Sequence, residues 1–157
     1  IRDKLVTGVQ TCALPIFMFE RDLKKLKTEL NAYSNEAVIW QVAGNISNST
    51  GTLVLHLVGN LNHFIGTVMG HSGYVRDRDA EFSTRGVSRK DMLDQIDSTI
   101  QGITETILMF PEDRFNATYP HAVFGEPMTY EFFMFHLVSH LNYHLGQVNY
   151  HRRLLDV

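Results

Sequence analysis

His140 and His144 stand four residues apart in the stretch FHLVSHLNYHLGQVNYHRRL, and Gly146 and Gln147 follow at once. Residues four apart on an α-helix lie over one another on one face, so the two imidazoles can aim at one point. His56 sits in an earlier amphipathic run, TGTLVLHLVGNLNHFIGTV. A third imidazole from a facing helix completes a three-nitrogen metal site with one open position, the arrangement a catalytic metal needs. The chain carries 8 His against a single Cys, so imidazole is the ligand chemistry on offer. His136 and His140 have the same spacing, and periodicity alone leaves both pairs open.

Four segments with helical periodicity must position these residues. The first runs from about Phe17 to Tyr33, with Phe19, Leu23, Leu26, Leu30 and Tyr33 at intervals of three and four. Ser49 or Thr50 can cap a second, running to about Met69, whose arc of Leu53, Leu57, Leu61, Phe64 and Val68 is broadened by Val54, Val58 and Ile65. So wide an arc predicts a helix buried on most of its surface. The Ser88-x-x-Asp91 spacing starts a third, with a stripe of Leu93, Ile96, Ile100, Ile103 and Ile107 that Pro111 ends. A fourth begins near Met128 and turns Met134, Val138, Leu141, Leu145 and Val148 inward. No strand alternation interrupts this pattern, which predicts an all-α, four-helix bundle with long connecting loops.

On the second predicted helix His56, Gly59, Asn60, His63 and Thr67 share a strip beside the apolar arc. On the fourth, His136, His140, His144, Gln147 and His151 do the same. The two strips predict a polar pocket between these helices. The plain alternative is that these strips are solvated faces, and His63, His136 and His151 invite that reading most. The run Arg76-Asp77-Arg78-Asp79 reads as a solvated loop, with anion binding by one arginine as the alternative.

Composition narrows the classes. A chain of 157 residues with 44% apolar content fits one domain with a real core. A formal charge of -3 argues against nucleic-acid binding. No apolar run approaches the ~18 residues that span a bilayer, so a soluble protein is expected. One Cys fits a reducing cytoplasm. Glu-x-x-His pairs, His-Glu-x-x-His, Gly-rich phosphate loops and Gly-x-Ser-x-Gly are absent, which removes the di-iron, zinc-protease, nucleotide and hydrolase readings. Zinc, nickel, iron and manganese all accept three imidazoles, and affinity order does not choose among them in a cell.

The start of the chain reads differently. Val6 to Ile16, VTGVQTCALPI, is the translation, codon for codon, of a common short-read sequencing adapter. A signal peptide is the alternative, but its apolar stretch is short and broken by Thr11, Cys12 and Pro15. Residues 1–16 are therefore expected to be a non-native tail that packs against nothing, and 17–157 the single domain. Cys12 is then not native, and the protein's own first residues are expected to be missing.

From Phe17 to Leu155 the chain resembles the DinB/YfiT-like superfamily, bacterial four-helix bundles named after damage-inducible proteins. The resemblance rests on Trp40, the run Leu53-Val54-Leu55-His56-Leu57, and His140-x3-His144-x-Gly146-Gln147. Gly59-Asn60-Leu61 and Arg76-Asp77-Arg78 point to a small uncharacterised branch. The resemblance implies a divalent metal on His56, His140 and His144, zinc or nickel first and iron or manganese next. His63 and His136 are extra to a bare three-histidine site, as outer groups around the metal or as a base. Characterised relatives include thiol S-transferases that use bacillithiol and an isomerase that uses mycothiol. The resemblance thus implies a cytoplasmic transferase joining a small thiol to an electrophile, and a homodimer. A non-catalytic metal-containing bundle, binding a ligand or serving a stress response, is the alternative. His71, His121 and His151, in loops or near the chain end, are expected to take no part in metal binding.

Overall fold

The computed structural model describes residues 8–157, with side-chain surroundings from Ala13 onward; residues 1–7, and with them the beginning of the adapter-like stretch, lie outside the described residues. Four long helices carry the fold: α1 (Gly8–Asn31), α2 (Thr50–Leu61), α4 (Arg89–Met109) and α5 (Tyr130–Leu155). A short α3 (Arg78–Ser83) lies between the second and third of these. The four-helix bundle is therefore as the periodicity predicts, and α3 is the addition.

Local chemistry sets the boundaries. Ser49 Oγ accepts from the Thr52 amide and starts α2, and Ser88 Oγ accepts from the Asp91 amide at 3.1 Å and starts α4. Each side-chain oxygen satisfies an amide that has no partner inside its helix. Eleven of the twelve residues of α2 are buried, as its broad apolar arc requires. Beyond Leu61 the helix widens into a π turn over Asn62–Thr67. Asn62 Nδ2 donates to the Val58 carbonyl at 2.9 Å and to Thr99 Oγ1 at 2.8 Å, tying that widened turn to α4.

Cross-links between helices reveal their directions. Asp22 and Asn142, then Glu29 and Asn149, then Ser34 and Asp156 pair in ascending order, so α1 and α5 run parallel. His56 meets His140 while Phe64 meets Phe133, so α2 and α5 run antiparallel. Lys27 pairs with Asp97 and the Tyr33 carbonyl with Arg89, so α1 and α4 are antiparallel. Hence α2 and α4 are parallel, and the chain between them must travel back along the bundle. That return is the stretch 68–88, which falls in the connection between the second and third predicted helices. It carries α3 past the side of α2 instead of out into solvent.

One core joins the four helices: Phe19, Leu23, Leu26 and Leu30 from α1, Leu53, Val54, Leu57 and Leu61 from α2, Ile96, Ile103 and Ile107 from α4, and Leu137, Leu141 and Val148 from α5. Trp40 lies across α2 at Gly51, where a Cβ would stand 2.6 Å from its ring. At the start of α1, Ala13 and Leu14 are exposed, whereas Pro15 is buried and Ile16 packs against the core. Those last two depart from a tail that packs against nothing. No helix among the described residues is long and apolar enough to cross a membrane.

His151 also departs from expectation. It is buried, not part of a solvated face. Its Nε2 donates to the Gln41 carbonyl at 2.8 Å, and its Nδ1 accepts from the Tyr33 hydroxyl at 2.7 Å. Tyr33 in turn meets Thr50 Oγ1 at 2.6 Å, so one chain of hydrogen bonds ties α1, α2 and α5 together.

Candidate metal centre

The antiparallel passage of α2 along α5 brings His56 opposite the turn that holds His140 and His144. His140 Nε2 lies 3.3 Å from His56 Nε2 and 3.1 Å from His144 Nε2. Ligand atoms of the three residues all lie within 4.8 Å of one another. Two imidazole nitrogens held at ~2.0–2.1 Å from one tetrahedral ion stand ~3.3–3.4 Å apart, so the observed spacing suits such an ion. His56, His140 and His144 form a group that can hold a metal ion.

The other ring nitrogens decide which way the lone pairs face. His56 Nδ1 donates to Glu81 Oε2 at 3.0 Å, and His144 Nδ1 donates to Gln147 Oε1 at 2.7 Å. With the protons held there, both Nε2 atoms present lone pairs to the common point. Burial pushes the His140 imidazole down to about 4, and the neighbouring His144 and His56 add to that effect. Burial lowers His144 as well, against the hydrogen bond it donates to Gln147. Two imidazoles that resist protonation, crowded with His56 around one point, are a donor set that suits a cation.

Glu81 is the residue that sequence reasoning missed. It is buried on α3, and Arg76 clasps it with two hydrogen bonds, Nε to Oε1 at 2.6 Å and Nη2 to Oε2 at 2.9 Å. Burial alone would raise its carboxyl, but hydrogen bonds from His56 and Arg76 outweigh burial and hold it below its ordinary value. Arg76 also lies over the Phe64 ring at 5.5 Å, and Phe82 of α3 packs on His56 at 5.0 Å. The arginine run is therefore not simply a solvated loop: Arg76 is a brace for the carboxylate that holds His56. The one signal in the sequence was Gly59. A Cβ at that position would run into the Glu81 carboxylate, so only glycine lets α3 approach α2 here.

His63 and His136 stand outside the triangle. His136 stacks near His140 with ring centroids 6.2 Å apart and meets Phe124 edge-on at 4.6 Å. His63, in the π turn, faces His121 at 6.4 Å. Burial lowers both imidazoles, and for His63 the Arg76 charge adds to it. Of the two candidate pairs on α5, the structure aims His140 and His144, not His136 and His140, toward His56.

The helix bundle shares its fold with a DinB-like protein. It aligns with the crystal structure of a DinB-like protein from Bacillus cereus at a TM-score of 0.69, covering 89% of each chain at 17% identity. The chain belongs to the family described as a protein of unknown function, DUF1572, whose model matches residues 15–156. No curated protein matches the chain.

Proposed function

We propose that this protein binds one divalent metal ion on His56, His140 and His144 and uses it to transfer a small thiol to an electrophile. The observation that carries the metal reading is the convergence of three Nε2 atoms while two Nδ1 atoms are tied to oxygen. Zinc fits the nitrogen spacing; nickel, iron and manganese accept the same donors. The thiol chemistry is supported by the resemblance of the motifs to bacillithiol-type transferases. When bound, the ion supplies a Lewis-acid charge that favours the deprotonated form of a thiol or water.

The chain's own residues do the rest. Glu81 and Gln147 fix two rings so that no reorientation is needed before binding. His136 or His63, held neutral by burial, accepts the thiol proton. The sulfur–carbon bond to the electrophile forms as the leaving group departs with its electron pair, and that proton leaves with it. Phe124 and Phe133 flank His136 and limit water beside it. A cytoplasmic homodimer is part of this proposal, and exposed Phe132, Phe135, Tyr143 and Tyr150 on α5 support the pairing.

The test is metal analysis of protein purified without a histidine tag, then a panel of low-molecular-weight thiols with monobromobimane as electrophile. One equivalent of metal and thiol consumption, both lost in His140→Ala, is the expected result. Absence of metal in the wild type ends the proposal. Bound metal without turnover on any thiol favours the non-catalytic, ligand-binding or stress-response bundle. Light scattering in solution reads the oligomer directly.

A further inference from the structure

Two of the three imidazoles at the centre have an acceptor behind them, and the third has none. His140 Nδ1 is buried and lacks a hydrogen-bond partner among the described residues. The same is true of Asn60 Oδ1, on a side chain that is only 7% exposed. A buried carbonyl without a partner costs ~1–3 kcal/mol, so Asn60 is a poor choice for a merely structural position.

The helix register brings these two residues to neighbouring turns. At ~100° per residue Asn60 lies ~40° round α2 from His56 and ~40° short of Phe64. His56 meets His140 at 5.1 Å between ring centroids, and Phe64 meets Phe133 at 5.0 Å. Asn60 lies between those contacts and so faces the turn of α5 between Phe133 and His140. One atom is a donor in search of an acceptor, the other an acceptor in search of a donor. A single water can accept from Nδ1–H and donate to Oδ1.

We propose that Asn60, through one bridging water, is a positioning residue for His140: it holds the proton on Nδ1 and keeps the Nε2 lone pair at the common point. This rests on the metal reading above. It extends the pattern of Glu81 behind His56 and Gln147 behind His144 to all three ligands.

The experiment measures zinc affinity by chelator competition, together with the melting temperature of metal-free protein, on the full chain. The chains compared are wild type, Asn60→Leu and Asn60→Asp. Asn60→Leu removes the acceptor and should bind zinc about 10–100-fold more weakly, the usual effect of removing an outer partner. Its metal-free melting temperature should be equal or higher, because the unpaired carbonyl is gone. Asn60→Asp keeps an acceptor and should restore most of the affinity. Wild-type affinity in Asn60→Leu would overturn the inference while leaving the metal site standing. So would loss in both variants that merely follows a lower metal-free melting temperature. If Asn60→Leu fails to fold, Asn60→Ser, which lacks the reach, takes its place with the same expectation. A wild type that binds no zinc sinks the metal reading, and the inference with it.

Discussion

A carboxylate that touches no ion governs one of the three imidazoles. Glu81 accepts from His56 Nδ1 and from both arms of the Arg76 guanidinium, so it is fully engaged while buried. Glu81→Gln keeps the shape but removes the charge that favours a proton on Nδ1. Metal affinity should fall about 10–100-fold in a competition titration. Glu81→Leu should instead destabilise the fold by ~1–3 kcal/mol in denaturant unfolding, since it leaves His56 Nδ1 and the half-buried Arg76 without their acceptor. Spacing narrowed the α5 ligands to two overlapping pairs, because ligands four apart on one helix are neighbours by geometry, and only the resemblance favoured His140 and His144. Glu81 was not legible, because it reaches His56 through a return of the chain that leaves no periodic trace. Gly59 hinted at a close approach of something, without saying what.

Among elements, the periodic helices were legible to within a few residues except at the start of α1, which lies at Gly8 where periodicity gives Phe17; the Ser88 cap was legible too. Each is set by local patterns of apolar and capping side chains. The six residues of α3 were not, since so short a helix is not stable by itself and exists here through its docking on α2. His151 was misplaced for a related reason: a strip beside the core can face a neighbouring helix as easily as water. The chain Thr50–Tyr33–His151–Gln41 it belongs to joins three elements, and its weak point is alkaline. Burial pushes the Tyr33 hydroxyl up to about 12 from 10.0. Between those values the unfolded chain gives up a proton that the folded protein keeps. The stability contributed by neutral Tyr33 is thus intact below about 10 and lost as pH rises toward 12. Tyr33→Phe should flatten that alkaline decline in urea unfolding, and should cost ~1–3 kcal/mol at neutral pH through lost hydrogen bonds.

For the whole molecule, direction of travel matters more than helix count. Because α2 and α4 are parallel, the chain has to spend some twenty residues returning, and that return is where the brace for the metal centre is built. The family match begins at residue 15, and burial among the described side chains begins at Pro15. We propose that residues 1–16 are adapter-derived, with Pro15 and Ile16 nonetheless seated on the core. A chain starting at Pro15 should then melt with the longer one. A chain starting at Phe17 loses the packing of Pro15 and Ile16 and should melt roughly 2–8 °C lower by calorimetry.

The clasp of Arg76 on Glu81 also works in the reverse direction. Coupling between two sites is reciprocal in free energy. Whatever factor a docked α3 contributes to ion affinity through His56, a bound ion must return to the docking of α3. A six-residue helix is the kind of segment that opens locally long before the whole fold does. Addition of zinc should therefore slow amide hydrogen exchange across residues 78–83 by the factor that Glu81→Gln costs in affinity, while α4 stays unchanged. Equal protection with and without the ion would mean that the clasp and the histidines do not communicate. A slowed α3 would make this short return of the chain the part of the molecule that registers whether the centre is loaded.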